Sequence, residues 1–184
     1  MMLATLLLSL AAKEVPADEA VWRSLAKPGH LVLLRHALAP GTGDPAGFQL
    51  DDCATQRNLS AGGREQARRI AEQFRQHGVD SATVYSSQWC RCLETAQLLG
   101  LGQVTPLPSI NSFFRNPERR PEQTRELRQW VTRQPRSALL VLVTHQVNIT
   151  ALSGVFPASG EMVVMRRLPE GGLEVVGRIG NDSP

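Results

Sequence analysis

Lysine is almost absent from this sequence. Of 20 basic residues only Lys13 and Lys27 are lysines, and the rest are arginines. The formal net charge is just +3 and is spread along the chain, so there is no basic stripe of the kind that grips nucleic acid. No apolar run approaches the ~20 residues that a membrane-spanning helix needs. Cysteine is scarce, at three, and no spacing suits zinc, which asks for closely paired cysteines with further ligands. Internal repeats and long linkers are lacking as well. What is left is a chain of 184 residues, 42% hydrophobic and 20% charged. That is one ordinary globular domain, and it excludes disorder, collagen and coiled coil as descriptions of the whole.

The one long apolar run near the N-terminus, Leu3 to Ala12 (LATLLLSLAA), has the length of a signal-peptide core, ~7–15 residues. Small residues Ser9, Ala11 and Ala12 lie near its end, and the polar stretch KEVPADEA follows. No Lys or Arg precedes it. The run predicts an export signal over residues 1–12, in preference to an ordinary buried helix, with a single domain over 22–181. The implied location is periplasmic or secreted, with no membrane span after processing; a cytoplasmic protein is the alternative. Cys90 and Cys92 are too close to favour a bridge to each other. Two readings stand: a bridge from Cys53 to one of them, or three unpaired thiols.

Along the chain, His30 to Arg35 (HLVLLR) is a continuous apolar run after Pro28-Gly29, as expected of a strand buried on both faces. A Gly-, Pro- and Asp-rich loop runs from Pro40 to Asp52. Ser60 predicts a helix N-cap, with Ala67, Ile70, Ala71 and Phe74 at helical spacing and Gly78 as the stop. Ala82–Tyr85 predicts a second strand, and Ser86 or Ser87 the cap of a helix ending near Gly100. Thr105 to Pro121 reads as loop, followed by a polar helix bearing Leu127, Trp130 and Val131. Ala138–Val143 predicts a third strand and Gln146–Gly154 another helix. Glu161–Arg166 and Leu173–Val176 are β-like runs around a Pro-Glu-Gly-Gly turn. Strands alternating with helices imply an α/β fold, a three-layer sandwich with a mainly parallel sheet and helices on both faces.

Three of these strands end in reactive residues: Arg35-His36, Ser86-Ser87 with Arg91 beyond, and Thr144-His145. In α/β sheets, ligands bind where the carboxyl ends of strands converge. The implied crevice holds two histidines, two arginines and nearby helix starts, a kit for a phosphate or similar anion. A neutral imidazole can attack phosphorus and carry the phosphoryl group covalently. Cationic side chains can stabilise the equatorial oxygens without a metal.

LVLLRHA at 31–37, YSSQWCRCLETA at 85–96 and LVTHQ at 142–146 resemble the motifs of the histidine phosphatase superfamily, the phosphoglycerate-mutase-like group. Asn58-Leu59-Ser60 with Gly63-Arg64-Glu65-Gln66-Ala67 is similar to the same family's L-T-x-x-G-x-x-Q-A helix start. The resemblance spans roughly residues 30 to 155. It implies His36 as the phosphorylated nucleophile, Arg35 and Arg91 as phosphate clamps, and His145 as the second pocket histidine, with Gln146 also on the phosphate. It implies neither metal nor other cofactor. Ser60 is read as a cap and Glu94 as a partner for a nearby arginine.

The sequence departs from the family at the proton donor. Ser112 stands where many members carry a glutamate, and Gln146 rather than an acid follows His145. Asp51, Asp52, Glu118 and Glu122 are the substitute candidates; a site with no dedicated acid is the alternative. The charged run from Glu118 to Arg128 is read as a solvated face in preference to a substrate role for Arg115, Arg119 or Arg120. Phe113-Phe114, Trp89 and Trp130 are read as packing. The expected function is metal-independent hydrolysis of a phosphate monoester or phosphohistidine through phosphorylated His36. The expected partner is a small phosphorylated substrate or a phosphorylated envelope component. A phosphate-binding or regulatory protein with weak turnover is the second reading, and a mutase the third.

Overall fold

A computed structural model describes residues 17–180. The apolar run at 3–12, and with it the predicted signal, lies outside them. The elements are α1 (Ala17–Ser24), β1 (His30–Arg35), α2 (Ala61–Gln76), β2 (Thr83–Ser86), α3 (Cys90–Leu99), β3 (Val104–Pro106), α4 (Arg120–Arg133), β4 (Leu140–Thr144), α5 (Gln146–Ser153), β5 (Met162–Arg167) and β6 (Leu173–Ile179). The six strands form one sheet in the order β3-β2-β4-β1-β5-β6. Pairings β2–β3, β2–β4 and β1–β4 are parallel. Pairings β1–β5 and β5–β6 are antiparallel. This is the mixed, mainly parallel α/β sheet with helices on both faces.

Side-chain alternation along the strands decides the layers. Val32, Leu34, Val141 and Val143 face α1, α2 and α3, meeting Trp22, Ile70, Phe74, Ala96 and Leu99. Leu31, Leu33, Leu140 and Leu142 face α4 and α5, meeting Leu127, Val131, Ile149 and Leu152. Both faces of β1 and β4 are therefore buried, which is why their sequences are apolar without interruption. Going from β1 to β2 the chain passes over β4, so the carboxyl ends of β1, β4 and β2 lie side by side. That is where an α/β sheet opens a crevice.

Two elements differ from the sequence reading. The domain boundary expected at residue 22 falls inside α1, whose Trp22 is buried, as is Leu25 just beyond it. The stretch read as loop from Thr105 contains edge strand β3, which carries Pro106; an edge tolerates a residue with no ladder N–H. The two open readings of the cysteines resolve into a Cys53–Cys90 disulfide, with Cys92 free and buried.

The start of α2 explains its own sequence. Ser60 Oγ accepts from the Gly63 amide at 3.0 Å, the expected N-cap. Gly63 is required by close approach: a Cβ there would stand 2.0 Å from the Leu38 carbonyl oxygen. Gln66 then holds the loop after β1 from both ends of its amide, accepting from Leu38 N at 2.8 Å and donating to Ser159 O at 2.9 Å. Gly63→Ala is therefore expected to cost about 1–3 kcal/mol by overpacking, read as a lower denaturant midpoint, whereas Gly62→Ala, with more room, costs less.

Candidate active site

Each strand end delivers its residue through backbone geometry. The His36 amide donates to Thr144 O at 3.0 Å and the Ser87 amide to Val143 O at 2.9 Å, so pairing continues past the strand ends. These bonds bring Arg35, His36, Arg91, His145 and Gln146 to the wall of one cavity of about 380 Å³. That size suits a small ligand. Arg35 donates through Nη1 to Pro157 O at 2.9 Å. Thr95, from the E-T-A segment, accepts from Ala37 N at 3.1 Å and donates to Arg91 O at 2.6 Å, joining the loop after β1 to the first turn of α3. Glu94 takes the Arg64 Nε–H at 2.5 Å, the arginine partner expected of it.

The two histidines are fixed in complementary ways. His36 Nδ1 lies 2.8 Å from Ala37 O, a bond it makes only as donor, so Nε2 keeps its lone pair. Burial, and then the Arg91 guanidinium with Arg57 and Arg35 behind it, hold the imidazole down to about 3, against the pull of the Ala37 carbonyl. His36 is thus a neutral nucleophile among cations. His145 lies with Nε2 2.8 Å from Ser87 Oγ and Nδ1 3.4 Å from Arg91 Nη2. Since Arg91 only donates, Nδ1 is the acceptor and Nε2–H points to Ser87, whose hydroxyl passes on to Asn111 Oδ1 at 3.2 Å. Burial and then Arg91 hold His145 well below the ordinary imidazole range. The rings stand edge to face, with centroids 5.6 Å apart.

Arg91 is 3% exposed and committed to a residue that the sequence reading passed over. Its Nη1 donates to Asp44 Oδ1 at 2.7 Å and to Arg57 O at 3.3 Å; its Nη2 donates to Asp44 Oδ2 at 3.3 Å. Asp44 also accepts from Trp89 Nε1 at 3.1 Å and Arg57 N at 3.2 Å. Burial pushes the Asp44 carboxyl up, but the Arg91 fork and the Arg57 and Trp89 N–H groups together hold it below its usual value. The four Nη protons of Arg91 are therefore assigned, while its buried Nε–H has no partner among the described residues; nor has the Nε–H of Arg35. An unpaired buried donor is costly. Both arginines line the cavity that also holds His36.

The loop bearing Asp44 is held on several sides. Arg57 donates through Nε to Gly43 O at 2.6 Å and through Nη1 to Ala39 O. Arg115 reaches across to Asp44 O. The Cys53–Cys90 bridge ties the same loop to the residue before Arg91. Asp44 had a signal of a kind in G-T-G-D-P: Gly43 has φ +71, a conformation that favours glycine. It hands the chain directly to Asp44.

The proton-donor candidates named from sequence do not reach the cavity. Asp52 is exposed and accepts from Ala54 N at 2.9 Å, capping a short turn; Asp51 is exposed beside it. Glu118 is exposed, and Glu122 pairs with Arg125 on the outer face of α4. Ser112 does line the cavity, so its position is right and its chemistry is not that of an acid. Asp44 is the one carboxylate among the described lining residues. Arg115 and Arg119 line the cavity, contrary to the solvated-face reading, while Arg120 does not. Trp89 and Phe114 also belong to the wall rather than to packing alone; Phe113 is buried and Trp130 packs on Tyr85. Ser87 does not cap α3; its hydroxyl is taken by His145. Among the described residues no three His, Cys, Asp or Glu side chains gather in a way that would hold a metal ion, and no helix is long and apolar enough to cross a membrane.

A neutral buried histidine makes stability depend on pH. The unfolded chain takes up a proton near ~6.5, whereas folded His36 does so only at about 3. Between those values the unfolded state binds more protons, so this stability is present above ~6.5 and is lost as pH falls, at about 1.4 kcal/mol per pH unit. His145, held low by burial and Arg91 as well, adds to the slope. Denaturant unfolding between pH 6 and 4 is therefore expected to lose stability at least this steeply, and His36→Ala to flatten the dependence by about that amount.

The model for the histidine phosphatase superfamily (branch 1) matches residues 31–111, less than half of the chain, ending before His145. No curated protein sequence matches the chain significantly. Solved structures share its fold. The protein histidine phosphatase SixA complexed with tungstate is 14% identical, with TM-score 0.61, over 83% of this chain and 97% of that one. A phosphoserine phosphatase mutant from Entamoeba histolytica, in complex with phosphoserine, is 14% identical, with TM-score 0.59, over 83% and 98%. A mycobacterial glucosyl-3-phosphoglycerate phosphatase is 17% identical, with TM-score 0.61, over 81% and 97%. The family model thus covers part of the chain, and the shared fold extends over most of it.

Proposed function

We propose that this chain is a metal-independent phosphatase that hydrolyses a phosphate monoester or phosphohistidine through a phosphoryl group held on His36. One observation carries the reading: a buried imidazole, neutral and with Nε2 free, stands among two arginines whose buried Nε–H groups lack partners. The family match and the phosphatases that share the fold support it.

In the first step the Nε2 lone pair forms a bond to phosphorus, and the bond from phosphorus to the leaving group breaks. The leaving group keeps that electron pair. His36 gains positive charge, which the Ala37 carbonyl accepts through the Nδ1–H. Arg35 and Arg91 supply donors to the equatorial oxygens as charge spreads over them. In the second step water attacks phosphorus and gives up a proton to solvent, the nitrogen–phosphorus pair returns to Nε2, and inorganic phosphate departs. The expected result is release of inorganic phosphate, in the presence of EDTA, from at least one compound in a panel of phosphate monoesters, sugar phosphates and phosphohistidine. Release abolished by EDTA overturns metal independence. Phosphate binding without release from any compound makes the chain a phosphate-binding protein instead.

The Cys53–Cys90 bridge supports an oxidising compartment. With the apolar run at 3–12 it favours a periplasmic or secreted enzyme acting on a small phosphorylated compound or a phosphorylated envelope component. Mass spectrometry of the mature protein is expected to find residues 1–12 removed; Met1 retained on it overturns the export reading.

A further inference from the structure

The floor and the mouth of the cavity differ in chemistry. On the floor, His36, Arg91 and His145 are each under 5% exposed. At the mouth, Phe114 and Phe156 are 54% and 66% exposed, and they are two of the four exposed large hydrophobic residues among those described. Scattered exposed apolar side chains need no explanation, but neighbours around one opening do. Between floor and mouth, Trp89 stacks on Phe48 with centroids 5.2 Å apart and 18° between planes. The Trp89 ring also stands edge-on to His145 at 5.2 Å. Aromatic surface thus runs from the reacting centre out to solvent, and it suits a flat ring stacked offset or edge to face.

Proton supply points the same way. Both oxygens of Asp44 are occupied by N–H donors from Arg91, Trp89 and Arg57, and each donor favours the ionised form. His145 accepts from Arg91 at Nδ1 and is neutral, so it has no extra proton to give. Ser112 lines the cavity with a hydroxyl. A leaving group here must depart as its own anion. Phenols ionise near ~10, as tyrosine does, whereas alkyl alcohols lie close to water, near ~15.7.

We propose that the substrate class is an aryl phosphate, a phosphoryl group bonded through oxygen directly to a flat ring that stacks within the Phe48, Trp89, Phe114 and Phe156 collar. This rests on the phosphatase reading above. The His36 Nε2 lone pair forms the bond to phosphorus, the phosphorus–oxygen bond to the ring breaks, and the electron pair leaves on the phenolate. The phenolate takes a proton from water after release.

The test is kcat/KM of the full chain at neutral pH on phenyl phosphate, its nitro-substituted derivatives and glycerol phosphate. Phenyl phosphate is expected to exceed glycerol phosphate by at least ~100-fold, with rates climbing as the phenol becomes more acidic. Phe114→Ala and Phe156→Ala, both at positions too exposed to carry the fold, are each expected to lower kcat/KM for phenyl phosphate by up to about tenfold. Inhibition by inorganic phosphate should be unmoved in both. Equal hydrolysis of glycerol and phenyl phosphates, or aromatic variants that weaken inorganic phosphate as much as the aryl ester, overturns this inference alone. Hydrolysis of neither ester, with phosphate still released from phosphohistidine, also overturns this inference alone. Release from no compound of the panel, with no phosphoryl group found on His36, overturns the phosphatase reading together with it.

Discussion

His36→Ala is expected to reduce turnover on the order of 10⁵-fold or more, the scale at which removal of an enzymatic nucleophile leaves only residual catalysis. The reason is local. The Ala37 carbonyl orients the ring, burial keeps it neutral, and the surrounding guanidiniums make the developing phosphoryl charge welcome. None of these compensates for a missing lone pair. His145→Ala removes a neighbour rather than the attacking atom, so its effect is expected to be smaller by orders of magnitude. The check is steady-state phosphate release with the circular dichroism spectrum unchanged. A His36→Ala variant retaining even a tenth of wild-type activity would end the assignment.

Arg91→Ala is expected to act on two quantities at once. Activity falls on the order of 10³-fold, the lower end of what a transition-state arginine contributes. Stability falls by about 3–5 kcal/mol, because a buried pair is broken and Asp44, 9% exposed at its side chain, is left ionised beside the hole. Arg91→Lys keeps the charge but cannot reproduce the fork on Asp44, so it lies between. Adding Asp44→Asn to the Arg91→Ala variant is expected to recover part of the lost stability, since the uncompensated carboxylate is then gone. Urea unfolding of the two single variants and the double variant measures that coupling. Strictly additive losses contradict the pairing.

The pair also marks where the sequence stopped being informative. β1 and β4 are buried on both faces, so their apolar runs were plain, and the polar residues that end them stood out. In the S-x-x-G-x-x-Q segment the Ser60 cap was readable from residue type, whereas the close approach at Gly63 and the two-ended amide of Gln66 join segments distant in sequence and show only in the fold. The Asp44 side chain makes its bonds to residues 13 to 47 positions away. It does so through a loop whose path depends on Arg57, Arg115 and a disulfide. No local periodicity announces such a residue. Asp51 and Asp52 belong to the first loop and Glu118 and Glu122 to the prolyl loop, yet the chain folds so that all four stay outside the cavity. Trp89 and Phe114 failed for another reason: an aromatic side chain in a wall and one in a core have the same composition. Only exposure and the company they keep separate them. α1 went unseen because it is short and carries only two large apolar residues, Val21 and Trp22, after a polar stretch.

The most direct test of the account is to mix the enzyme with an excess of a phosphate ester, quench in alkali within the first turnovers, and map phosphorylated peptides by mass spectrometry. The account predicts a phosphoryl group on the peptide carrying His36, stable in alkali and lost in acid, and absent from the His36→Ala variant. Phosphate release at the wild-type rate with the phosphoryl group on another residue, or on none, would contradict it.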